Sequence, residues 1–147
     1  MQTSPDFEEF LGYLNDYKVR YVIVGGYAFA IHAEPRFTID IDIFIDATAE
    51  NSKRLLYALE AFGFGDAGLT TEDFQKANQI IQLGYPPLRI DILTSIEGVD
   101  FEQAWRNRIK SDYGSKVVWF IGKRELIQNK KATGREQDLL DLKKLDR

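Results

Sequence analysis

Asp40 and Asp42 stand two residues apart in a run, Thr38 to Asp46, that alternates without a break: Ile39, Ile41, Ile43 and Ile45 on one side, Asp40, Asp42, Phe44 and Asp46 on the other. In an extended chain every second side chain shares a face, so the two carboxylates emerge together, within reach of a common cation. A further aspartate, Asp91, sits in a second alternating apolar run, Leu88-Arg89-Ile90-Asp91-Ile92-Leu93, and must point away from the core that Ile90 and Ile92 enter. Laid beside the first strand, this second one completes a cluster of three acids. Without a cation the cluster is costly, because like charges near an apolar core repel and raise one another's pKa. Magnesium, which prefers oxygen ligands, turns that repulsion into coordination. Two divalent ions would fit: one gathers phosphate oxygens, the other lowers the pKa of an attacking hydroxyl. A bare Asp-x-Asp pair is most often the solvated face of an edge strand. Interleaving with four isoleucines, and a third aspartate isolated in another apolar strand, is hard to explain by solubility alone.

Gly25-Gly26 closes the apolar run Tyr21-Val22-Ile23-Val24 and precedes a short helical stretch. Lacking a Cβ, such a pair lets backbone approach a ligand and leaves N–H groups free for phosphate, although many strand-to-helix turns carry glycine for geometry only. Cations gather later, at Lys123, Arg124, Lys130, Lys131 and Arg135. Taken alone they read as a solvated helix face, the alternative being a contact to a polyanion.

These residues need positioning elements, and hydrophobic spacing supplies them. Phe7, Phe10, Leu11 and Leu14 predict an amphipathic helix over Pro5 to Tyr17, and Tyr21 to Val24 a buried strand. A brief helix from about Tyr27 to His32 is stopped by Pro35. After the acid-bearing strand, Thr48 caps a helix from about Ala49 to Phe62, which Gly63 and Gly65 end. A short helix near Thr71 to Ala77 leads to a strand from Gln79 to Leu83. The turn Gly84-Tyr85-Pro86-Pro87 then returns the chain through Leu88 to Leu93, a hairpin. Asp100 to Arg108 reads as helix, Val117 to Ile121 as strand, and Arg124 to Lys131 and Glu136 to Leu145 as two closing helices. Helices mixed with a largely hairpin-built sheet make the fold class α+β.

The chain has 147 residues, 44% hydrophobic and 29% charged, with a net charge of −4 and no cysteine. That length predicts one domain over 1–147, a core at about 20–122 and a helical segment at about 123–146. No apolar run approaches the roughly 18 residues needed to span a bilayer, and no secretory leader is read at the acidic start. Lack of cysteine excludes thiolate metal sites and disulfide scaffolds and is compatible with a cytoplasmic setting. The negative charge argues against a broad surface for duplex DNA.

Val24-Gly25-Gly26, an intervening helix, Asp40-Ile41-Asp42-Ile43, and the later Asp91 together resemble the signature of the DNA polymerase β-like nucleotidyltransferase superfamily. The tail from Leu126 to Leu142 looks like the closing segment of small bacterial members, among them abortive-infection and other toxin–antitoxin nucleotidyltransferases. The resemblance covers about Val22 to Leu145 and implies a polymerase β-like mixed sheet flanked by helices, with the C-terminal helices packed on the core. It implies a magnesium-dependent enzyme that uses ATP or another NTP and moves NMP to an acceptor with release of pyrophosphate. Under it Gly25 and Gly26 contact the triphosphate, Asp40 and Asp42 bind both metals, and Asp91 binds the catalytic metal and helps activate the nucleophile. Lys130 would reach the β- or γ-phosphate as a point charge. Arg36 is either a phosphate contact or a structural ion-pair partner, and Arg135 and Asp138 either brace the last helix or meet a ligand. Tyr27 follows the glycines where many relatives have a small or hydroxylated residue.

The acceptor is a protein, a tRNA end or a small molecule, with tRNA not favoured for an acidic chain. A non-catalytic module serving as the partner-binding half of a toxin–antitoxin pair is the rival reading, against which the intact acids speak. A metal-dependent phosphohydrolase would have no need of the glycine turn. His32 is read as packed or capping, Trp105 and Trp119 as core, and Asp46 as a solvated strand end outside the ligand set. An exposed Tyr27 or Tyr85 would be able to stack on a base.

Overall fold

A computed structural model describes residues 3–85 and 87–146. The alternating run around the acid pair becomes strand β2 (Asp40–Ile45), with Ile41, Ile43 and Ile45 fully buried on one face. Each such isoleucine contributes roughly 1.5–3 kcal/mol by leaving water, enough to fix the register that sends Asp40 and Asp42 to the opposite face. Farther along that opposite face Phe44 is covered, its ring meeting Phe101 edge-on at 5.2 Å. One face of one strand is therefore open and acidic at its start and sealed at its end. Asp46 is not solvated as expected: only 7% exposed, it takes a 2.8 Å ion pair from Arg20, so the sealing continues past the strand.

Around β2 the chain runs α1 (Pro5–Asp16), β1 (Tyr21–Val24), α2 (Gly25–His32), β2, α3 (Ala49–Leu59), a single π turn (Glu60–Phe64), a 3-10 turn (Thr71–Phe74), β3 (Ile80–Tyr85), β4 (Leu88–Leu93), α4 (Phe101–Arg106), β5 (Ile109–Tyr113), β6 (Lys116–Phe120), α5 (Lys123–Thr133) and α6 (Glu136–Leu145). The strands form one mixed sheet in the order β3-β4-β2-β1-β6-β5. Its pairings β1–β2, β3–β4 and β5–β6 are antiparallel, whereas β2–β4 and β1–β6 are parallel. The fold is α+β, as its sequence predicts.

Most elements lie where periodicity puts them. Thr48 accepts a hydrogen bond from the Asn51 N–H and caps α3, and Gly63, at φ 119°, breaks the helical path beyond it. Gly84 and Tyr85, expected in a turn, belong to β3, and Pro86 of that turn lies outside the described residues. β5 is an element that periodicity does not reveal: Lys110, Ser111 and Asp112 fill its middle, an edge strand that alternation cannot mark. Among the described residues, no helix is long and apolar enough to cross a membrane.

Candidate active site

Parallel pairing of β2 with β4 sets Asp42 directly beside Asp91 and Asp40 beside Arg89. One carboxylate oxygen each from Asp40, Asp42 and Asp91 comes within 4.8 Å of the others. The three acids predicted to meet do meet, contributed by two neighbouring strands whose buried isoleucines lock the register.

The surroundings leave these carboxylates poorly compensated. Burial first, then the charges of Asp40 and Asp91, push the Asp42 carboxyl up to about 7. Asp91, its side chain 9% exposed, is also raised, by burial and by a hydrogen bond with Asp40, against the lowering influence of Arg89. Arg89 donates to both Asp91 oxygens, from Nε at 3.2 Å and from Nη2 at 3.4 Å. It is one cation facing three acids. Sequence reasoning passed over it, although its place two residues before Asp91, on the same face of an alternating strand, was the available signal. The donor set, three hard carboxylates short of positive charge, fits magnesium and has no soft ligand that would favour a thiophilic metal.

The glycine turn sits against the acids. Gly25 has φ +67°, a conformation costly for any side chain, and a Cβ there would overlap the Asp42 carboxylate. At Gly26 a Cβ would overlap the Thr38 methyl group and stand 3.9 Å from Arg36 Cδ. Helix α2 begins at Gly25 itself, so its first free N–H groups open beside Asp42.

Arg36 and Lys130 converge on a different acid. Arg36 donates to both oxygens of Asp141, the Nη1 bond measuring 3.1 Å, and its guanidinium lies 3.8 Å from the centre of the Phe29 ring. Lys130, 8% exposed, gives Asp141 a 2.8 Å bond and stands 3.5 Å from Asp138. Asp141 is fully buried and also accepts from Gln137 at 2.8 Å. Burial would raise it, but Arg36, Lys130 and Gln137 hold it down at about 2. Asp138 likewise stays well below the usual carboxylate range despite burial, held by Arg135 and Thr133. It caps α6, accepting from the Arg135 backbone N–H at 3.1 Å, Arg135 Nε at 2.9 Å and the Thr133 hydroxyl at 2.6 Å. Asp141 had no place in the sequence-derived set, yet it ties α6 to the segment before β2.

The remaining candidates fall outside the cluster. His32 Nε2 lies 2.7 Å from the Ile121 carbonyl, a structural contact. Tyr27, considered as an exposed stacking residue, is 8% exposed and packs edge-on against Phe7 and Tyr113, whereas Tyr85 is 82% exposed. Trp105 and Trp119 are partly buried, and the Arg108 guanidinium lies against both, at 3.7 Å and 4.4 Å from the ring centres.

Comparisons with known proteins bear on the family and the fold. The model of a family described as nucleotidyltransferases of unknown function (DUF6036) matches residues 3–146. No curated protein matches the chain. Among solved structures, the lincosamide antibiotic adenylyltransferase LnuA, bound to lincomycin, is similar in fold: TM-score 0.55, 17% identity, covering 99% of this chain and 98% of that one.

Proposed function

The chain belongs to the DUF6036 family of nucleotidyltransferases, and from that premise we propose that it moves a nucleoside monophosphate from an NTP to an acceptor hydroxyl and releases pyrophosphate. The observation that carries this reading is the convergence of Asp40, Asp42 and Asp91 from two paired strands beside a glycine turn that no side chain can enter. Magnesium, for which two ions are proposed, would be held by Asp40, Asp42 and Asp91 and would supply charge neutralisation to the triphosphate and acidity to the acceptor hydroxyl.

The chain's own residues do the rest. Backbone N–H groups at Gly25 and Gly26 receive phosphate oxygens at the start of α2. Arg36, beside Gly26, and Lys130, which shares Asp141 Oδ2 with it, form the cationic end proposed for the β- and γ-phosphates. The acceptor oxygen bonds to the α-phosphorus, its proton passes to the Asp91 carboxylate, and the bond to the bridging oxygen breaks in line, freeing pyrophosphate. The similar fold of an antibiotic adenylyltransferase supports ATP as donor and a small molecule over a tRNA end as acceptor.

Calorimetry with ATP or GTP and magnesium tests the reading. The parent binds NTP only with metal, and Asp42→Asn abolishes that binding; equal binding by both would overturn it. Incubation of each α-labelled NTP with host lysate then identifies the acceptor by the label it gains, with pyrophosphate as co-product. Release of free phosphate instead would point to a phosphohydrolase.

A further inference from the structure

A cavity of about 810 Å³ opens beside the glycine turn, and of its lining residues Arg36 alone has a part in the nucleotide binding described above. Phe7 and Tyr27 line it from α1 and α2, Ala30 lies one helical turn beyond Tyr27, and Phe37 and Ile39 line it from the segment leading into β2. Ile39 immediately precedes Asp40, and Thr38, also in the lining, is the residue whose methyl group occupies the space a Gly26 side chain would need. The cavity and the phosphate turn therefore share a wall. Phe37, 85% exposed, and Ile39, 46% exposed, present to solvent apolar surface that nothing in the fold requires.

The chemistry of the lining narrows the occupant. Rings, two prolines and aliphatic side chains dominate, its polar groups are Thr3, Ser4, Thr38, Arg36 and the Tyr27 phenol, and among the described residues no carboxylate takes part. Arg36 is already engaged by Asp141, so the remaining polar handles are hydroxyls. Apart from Arg36, which the nucleotidyl-transfer reading assigns to the triphosphate, the lining offers no charged partner to a second ligand. Among the described lining residues no side-chain amide is present to read the edge of a base, and the volume falls in the range that encloses drug-sized molecules, which a nucleobase alone would leave largely empty.

We propose that this cavity is the acceptor site and that the acceptor is a small, mainly apolar, ring-bearing molecule with a hydroxyl that reaches past Thr38 and Ile39 to Asp40. This assignment rests on the nucleotidyl-transfer reading and names its substrate class. The acceptor oxygen forms the new bond to the α-phosphorus, its proton goes to Asp91, and the bond between the α-phosphorus and the bridging oxygen breaks, with pyrophosphate leaving. The apolar body gains affinity by burial, and the hydroxyl is the one polar group that must face the acids.

A neutral solvatochromic probe, 6-propionyl-2-dimethylaminonaphthalene, tests the site without knowledge of the natural acceptor. In the parent its emission shifts to the blue and saturates, and saturating magnesium–ATP leaves the binding in place. Ala30→Phe, which fills the cavity, and Ile39→Asp, which adds charge at a half-exposed position and spares the core, each weaken probe binding at least tenfold while magnesium–ATP binding stays within about twofold. Displacement of the probe by ATP would assign the cavity to the nucleobase and overturn the proposal, as would equal probe binding in parent and both variants. If the parent fails to bind magnesium–ATP at all, the nucleotidyl-transfer reading falls, and the acceptor assignment with it. If ATP binds as expected but the probe does not, only the acceptor assignment falls.

Discussion

Two groups of aspartates, one half-buried to buried and the other fully buried, are treated in opposite ways. Asp40, Asp42 and Asp91 share one guanidinium, that of Arg89, and Asp42 is pushed up to about 7. Asp138 and Asp141 are met by Arg36, Lys130, Arg135, Gln137 and Thr133 and are held below the ordinary carboxylate range. The residue type is the same, and the more deeply buried pair is the one held down. What differs is whether the fold supplies the countercharge. A satisfied carboxylate is structure, whereas carboxylates brought together and left short of positive charge are what a protein builds for a cation that comes from outside.

The largest expected effect separates the two groups by sign. Asp42→Asn lowers divalent-metal affinity by roughly 100-fold or more. In metal-free protein the same change leaves stability at pH 7 unchanged or higher, because it removes an uncompensated charge. Metal titration and urea unfolding of the one variant check both halves, and a metal-free variant clearly less stable than the parent would break the comparison. Asp141→Asn does the reverse. It leaves Arg36 and Lys130 under-compensated and costs about 3 kcal/mol at pH 7, read as a lowered urea midpoint.

A pH series sharpens the contrast. Asp42 titrates near 7 when folded against an ordinary 3.8, so in the absence of metal its contribution favours the fold below about pH 4 and is lost as pH rises through about 7. Asp141, held at about 2, favours the fold above its ordinary 3.8, and that contribution is lost as pH falls through about 2. Magnesium should abolish the loss on the alkaline side and leave the acid side untouched, which urea midpoints from pH 2 to 8 with and without magnesium will show. The smallest effect belongs to Arg89. Its replacement by glutamine removes a competing cation and tightens magnesium binding by about threefold, as expected for a partly exposed ion pair, measurable by the same titration.

The acid cluster was legible in the sequence because it rests on strict alternation: three isoleucines buried on one face leave Asp40 and Asp42 nowhere to go but the other, and Leu88 to Leu93 repeats the rule for Asp91. The glycine turn was legible because two glycines without Cβ end a buried apolar run at the start of a helix. Less was legible where partners are distant in sequence. Asp141 and Arg36 are 105 residues apart, and an aspartate on a charged closing helix gives no sign that it will be fully buried. Asp46 fails for the same reason: its partner Arg20 comes from the other side of a strand pairing that local pattern does not encode. β5 escaped because an edge strand with polar central residues carries neither period.

The three acids of β2 and β4 are proposed to hold divalent cations for nucleotidyl transfer. Crystals grown with manganese and a non-hydrolysable NTP analogue test it through anomalous scattering. Peaks between the carboxylates of Asp40, Asp42 and Asp91, absent from Asp42→Asn crystals grown in the same way, are the predicted result. An analogue bound with no peak there, and Asp91 still paired with Arg89, would contradict it.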